Sequence, residues 1–188
     1  MAKREETLQK YVSDMLAVNQ HILEALERQA RDEHVRGYPE AAQLVSGVET
    51  LLKGYNTQLE AHLRMLGGEP TAPVKKAATA VLGIAAGLID KVRPDKVTEA
   101  LRDDYTALNL AAMSYSLLHT TGMALKNTAT ADLALAHLTG LAPMIMRINQ
   151  VIPSVVAREL VDEAENVDTS VGPEAARHIE EAWRNRPH

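Results

Sequence analysis

Apolar residues fall three and four apart along four separate stretches of this 188-residue chain, the spacing of helices with one buried face. In the first stretch Leu8, Val12, Met15, Asn19, Ile22, Leu26 and Gln29 share a stripe. Arg36-Gly37-Tyr38-Pro39 interrupts it, and Pro39 suits the first position of a second helix. That helix carries Val45, Val48, Leu52, Tyr55, Leu59, His62 and Leu66, and Gly67-Gly68-Glu69-Pro70 stops it. A third stripe runs through Leu101, Tyr105, Leu108, Ala112, Tyr115, His119 and Gly122, with Asp95 expected as N-cap. After a polar turn at Lys126-Asn127-Thr128 comes a fourth, Ala134, Leu138, Leu141, Ile145, Ile148, Ile152 and Val155. Pro143 and Pro153 inside it are expected to bend or break that helix. Strand signals are nearly absent: there is no Phe, aromatics total 3%, and no run alternates with period two.

The order is a short turn, a long connection and another short turn. Residues 71–94 form the connection and contain a small-residue helical run, KKAATAVLGIAAGLIDKV, bounded by Pro73 and Pro94. Two antiparallel hairpins joined by a crossover is the ferritin-like arrangement of a four-helix bundle. The expected fold is therefore all-α: such a bundle over residues 1–163, with an additional crossover helix between helices two and three. Residues 164–188 form a polar tail with a short amphipathic helix, Glu174 to Arg184, around Ile179 and Trp183.

Composition narrows the chemistry. With no Cys, thiolate sites and disulfides are excluded. A net charge of -5 without a basic cluster argues against nucleic-acid binding. The charged start MAKREETLQK shows no secretory signal, and the apolar run Ala77 to Ile89 is too short to span a bilayer. No membrane association and a cytoplasmic location are the expectations. Residues 105–158 hold one carboxylate, Asp132, and otherwise only Lys126, Arg147 and Arg158 as charged groups.

The chain resembles the YciE/YciF-type bacterial ferritin-like family, over roughly residues 7–158. The resemblance rests on Asp14-Met15-Leu16 with Ala25-Leu26, on Leu59-Glu60 and Leu66-Gly67, on the crossover run, on Ser114-Tyr115, and on Leu133, Leu138 and Ile148. It implies a bundle whose members place Glu in helix one, Glu-x-x-His in helix two, and acids in helices three and four, and which are associated with stress responses. Laid on this sequence, the family's dimetal layer falls on Asn19, Thr50, Lys53, Leu108, Ala111, Gly140 and Leu141, with Thr139 beside them. A shift of one residue brings Glu49 near, but helices three and four have no Glu to shift. The resemblance thus implies the fold without the metal chemistry, and no cofactor is expected.

Other candidate sites have plain competitors. Asn19 is a polar residue within an apolar stripe, and a buried amide needs partners; Tyr55 and Tyr115 are the expected ones, giving a core polar network. Lys53 is either a buried amine or the partner of Glu49 four residues earlier. Each bundle helix carries one histidine: His21, His62, His119 and His137. At about 1.5 Å per residue they fall on different levels, so a three-histidine site is not expected, and His62 with His119 is the weak alternative metal pair. Ser116 and His119 share a helix face, but no acid there orients the histidine as triad chemistry requires. Gly83-x-x-x-Gly87 reads as a close helix contact within a soluble chain.

Three functional classes follow. The first is a non-catalytic, metal-free structural or interaction protein, dimeric through helices three and four. The second is a binder of an apolar small molecule in a core cavity left by Ala111, Ala112, Ser114, Gly122, Ala134, Ala136, Gly140 and Ala142. The third is a metalloprotein with a relocated site. The first is preferred, because a helix apolar around most of its circumference must be covered on most sides.

Overall fold

The computed structural model describes residues 2–70 and 96–184. The expected crossover helix, its Gly83-x-x-x-Gly87 motif and the Asp95 cap lie outside the described residues. Within them the chain is all-α: α1 (Ala2–Arg31), α2 (Glu33–Arg36), α3 (Pro39–Met65), α4 (Val97–Ala124), α5 (Thr128–Glu159) and α6 (Gly172–Arg184), with 3-10 turns at Leu160–Asp162 and Thr169–Val171.

Local chemistry sets the boundaries. Asp32 separates α1 from α2 because its carboxylate accepts the His34 N–H at 2.9 Å and starts a new turn. Pro39 opens α3 as its first residue. Gly67, with φ 79°, closes it, and the Gly68 N–H returns to the Leu63 carbonyl at 2.9 Å. Lys96 is the N-cap residue of α4 but supplies no side-chain cap. The Glu159 carboxylate, reaching across from α5, takes the Thr98 N–H at 3.1 Å instead. Asn127 caps α5 by accepting from the Thr130 N–H at 2.9 Å.

Of the two effects expected of the prolines, a bend or a break, the break does not occur: α5 runs through both Pro143 and Pro153. Pro143 is exposed, so the Thr139 carbonyl it leaves unpaired lies on the solvent side.

The four long helices pack so that each neighbour is antiparallel. Gln9 reaches Leu66 and Glu27 reaches Lys53 between α1 and α3. Gln29 reaches Asp104 and Arg4 reaches Lys126 between α1 and α4. His62 meets Thr130 and Tyr55 meets His137 between α3 and α5, and Tyr115 meets His137 between α4 and α5. The end of α3 and the start of α4 therefore lie at opposite ends of the bundle. One core fills the middle, with Val12, Leu16, Leu26, Leu52, Leu59, Leu101, Leu108, Leu118 and Leu141 almost wholly buried. The stretch Thr128–Asp162 is long and apolar enough, by length and composition, to cross a membrane; here one side of it is packed in this core.

The tail folds back on the bundle. α6 packs along α5, and Gly172 lies so close that a Cβ there would come within 2.4 Å of Ser154 Oγ.

Candidate functional site

Each long helix sends one polar or aromatic side chain to a common layer in the bundle centre: Asn19 from α1, Tyr55 from α3, Tyr115 from α4 and His137 from α5. All four are buried, at 0%, 7%, 0% and 1% relative exposure. Asn19 Nδ2 donates to the Tyr115 hydroxyl at 2.7 Å. The Tyr55 and His137 rings stack at 3.8 Å between centroids, with only 6° between planes. Tyr115 stands edge-on to both, 6.0 Å from Tyr55 and 5.2 Å from His137. Contacts of these kinds contribute about 1 kcal/mol each.

The layer is neutral near pH 7. Burial lowers the His137 pKa to about 4. Burial also raises both tyrosine hydroxyls; for Tyr115 the Asn19 hydrogen bond opposes that rise and nearby Tyr55 adds to it. His137 Nε2 faces Gln58 Oε1 at 3.0 Å, which makes it the donor nitrogen and leaves Nδ1 a bare acceptor. Neither His137 Nδ1 nor Asn19 Oδ1 has a hydrogen-bond partner among the described residues.

This layer differs from the dimetal layer expected from the family resemblance. Asn19 bonds Tyr115, four residues beyond Ala111 and seven beyond Leu108, or about 6 and 10 Å further along α4. Leu108, Ala111 and Leu141 are buried in apolar packing, not in a layer with Asn19. Thr50 and Lys53 are exposed, and this too corrects the expectation. The buried face of α3 runs through Val48, Leu52 and Tyr55, which turns positions 50 and 53 outward. Thr50 donates to its own helix at the Ser46 carbonyl, and Lys53 pairs with Glu49 at 2.6 Å and with Glu27 of α1 at 3.1 Å.

The remaining candidates are dispersed. His62 contacts Thr130 Oγ1 at 2.7 Å, while His119 Nδ1 donates to the Ala131 carbonyl at 2.9 Å, so each histidine binds its own partner on α5. Ser116 Oγ donates to the Ala112 carbonyl rather than to His119. Among the described residues no group of three or more His, Asp or Glu side chains is placed to hold a metal ion. The small residues serve close contacts. A Cβ on Gly140 would lie 2.1 Å from the Tyr55 hydroxyl, and one on Gly122 would lie 2.6 Å from the Ala131 nitrogen. Ala136 and Ala142 face outward. A groove of about 590 Å³, lined by Pro39, Glu40, Ser154, Arg158, Thr169, Ser170 and Pro173, lies at the surface beside α6, away from the central layer.

A further polar pair links α1 to α4 and is not among the sequence expectations. Asp104 is 5% exposed and accepts from Gln29 Nε2 at 2.8 Å. Burial raises its pKa to about 7, against the opposing Gln29 bond and with a contribution from Asp103. Gln29 Oε1 has no hydrogen-bond partner among the described residues. Gln29 lies on the first apolar stripe and signals a buried polar contact, whereas the third stripe runs through Tyr105 and not through Asp104 beside it.

No protein-family model, no curated protein and no solved structure matches the chain.

Proposed function

We propose that this chain is a ferritin-like bundle kept for its shape and surfaces, a metal-free structural or interaction protein and not an enzyme. The observation that carries this reading is the central layer. Asn19, Tyr55, Tyr115 and His137 come from all four long helices and present neutral groups that pair chiefly with one another. A dimetal centre in such a bundle draws on carboxylates from all four helices, whereas this layer is carboxylate-free and between Tyr105 and Arg158 the chain has one carboxylate, the exposed Asp132. The antiparallel neighbours, and the opposite-end placement of α3 and α4, support the ferritin-like connectivity. The family resemblance gives this reading a stress-associated role, and the charged N-terminal stretch is the ground for reading the location as cytoplasmic.

Elemental analysis of the purified protein tests the reading. Iron, manganese and zinc are expected far below one atom per chain. Stoichiometric metal that survives dialysis against a chelator would overturn it. The apolar-ligand alternative has less support, because Gly122 and Gly140, two of the small residues counted toward a cavity, are in close contact with Ala131 and Tyr55.

A further inference from the structure

The outer face of the α4–α5 hairpin is nearly free of charge. From Tyr105 to Ala124 α4 has no charged residue, and between Thr128 and Ala157 only Asp132 and Arg147 are charged. Large apolar side chains are exposed in their place: Met113 at 62%, Leu117 at 55%, Leu135 at 45% and Met146 at 39%. The α1–α3 hairpin exposes Lys10, Glu24, Arg28, Lys53 and Arg64, so the asymmetry is between the two halves of one bundle. Exposed apolar groups gathered on one face mark a surface that meets a partner.

The relief of this face selects the partner. Tyr115 packs on His137 and Gly122 on Ala131, which fixes the levels of the antiparallel pair. Met113 is then level with Thr139, Leu117 with Leu135, and Thr106 with Met146. On α5 the exposed residues between Leu135 and Met146 are Ala136, Thr139, Ala142 and Pro143, none of them a large apolar side chain. The face thus has a knob on one helix and a shallow trough at the same level on the other.

We propose that this face pairs with a second copy of the chain about a two-fold axis lying in the face, parallel to the helices. Such an axis sets α4 of one copy against α5 of the other and preserves every level. Met113 enters the trough at Thr139 of the second copy, Leu117 meets Leu135, and Met146 meets Thr106, each contact occurring twice. A two-fold axis across the helices would instead put α4 against α4 and α5 against α5, with the levels reversed. Both faces being nearly uncharged, pairing strips water from almost no ionic group. Two helices about 30 Å long and 10 Å wide offer on the order of 600 Å² per copy, at the lower end of stable interfaces. The proposal rests on the reading of the chain as a bundle kept for its surfaces, and it names the partner.

Sedimentation velocity on the full chain at micromolar concentrations tests the pairing. The parent protein is expected to be a dimer. Met113→Lys and Leu117→Glu are expected to weaken it by at least about tenfold while leaving helicity unchanged, since both sites are exposed, and the melting temperature is expected to lose its dependence on protein concentration. The chain has no Cys, so engineered cysteines report the axis. Mixing Met113→Cys chains with Thr139→Cys chains is expected to give more cross-linked dimer than Met113→Cys chains alone. A parent that stays monomeric overturns the proposal, whether residues 71–95, a lipid surface or another protein then covers the face. A dimer indifferent to both charge substitutions, or cross-linked best through Met113→Cys alone, overturns it equally. Stoichiometric metal in a dimer that passes these tests would instead sink the functional reading and leave the pairing standing.

Discussion

Asp104 is the residue whose chemistry is least at ease with its surroundings. Among the described residues its carboxyl has one hydrogen-bond donor, Gln29, and its burial favours the protonated form up to about pH 7. In the unfolded chain the same group releases its proton near 3.8. Between those two values the folded protein holds a proton that the unfolded chain gives up, so stability falls as pH rises through that window and levels off above it. Asp104→Asn removes the titration. The amide still accepts from Gln29 Nε2 and offers an N–H to Gln29 Oε1, which has no other partner among the described residues. Urea melts are expected to show the variant more stable than the parent at pH 8, by about 2–4 kcal/mol, with the gap closing toward pH 4. A gap independent of pH would show that Asp104 does not carry the proton.

At the scale of elements, the helices were legible and their rotations less so. The α3 stripe read from sequence, Val45, Val48, Leu52, Tyr55, Leu59 and His62, is the face that is buried. In α4 the buried positions are Leu101, Asp104, Leu108, Ala111, Tyr115 and Leu118, one step from the expected Tyr105, Ala112 and His119, which are half-buried flanks. Hydrophobicity alone points to Tyr105 over Asp104, and only the packing of Gln29 from α1 reverses that choice. The Asn19–Tyr115 bond was within reach because a polar residue in an apolar stripe demands a partner. His137 was not, because its place depends on how far α3 and α5 approach. Gly140 sets that approach. Gly140→Ala is expected to destabilise the protein by about 1–3 kcal/mol, since its methyl group meets the Tyr55 hydroxyl. Tyr55→Phe in the same chain should recover much of the loss. Thermal melts of the two single variants and the double variant measure this; simple additivity would mean the two sites do not touch.

For the whole molecule, the antiparallel layout makes two hairpins with different characters, one charged and one nearly neutral, held by long-range contacts at a shared centre. His119 and Ala131 meet across 12 residues of chain, whereas Asn19 and Tyr115 meet across 96. Short loops close at less entropic cost, so the α4–α5 hairpin is expected to form before α1 docks on it. Asn19→Ala should then speed unfolding by about fivefold and leave refolding nearly unchanged, as stopped-flow urea chevrons would record. A slowed refolding limb would place the α1–α4 seam in the early nucleus instead. The tight turn at Gly122 and Ala131 therefore has a cost in time: the most adhesive surface of the chain is assembled while its charged half is still a loose coil.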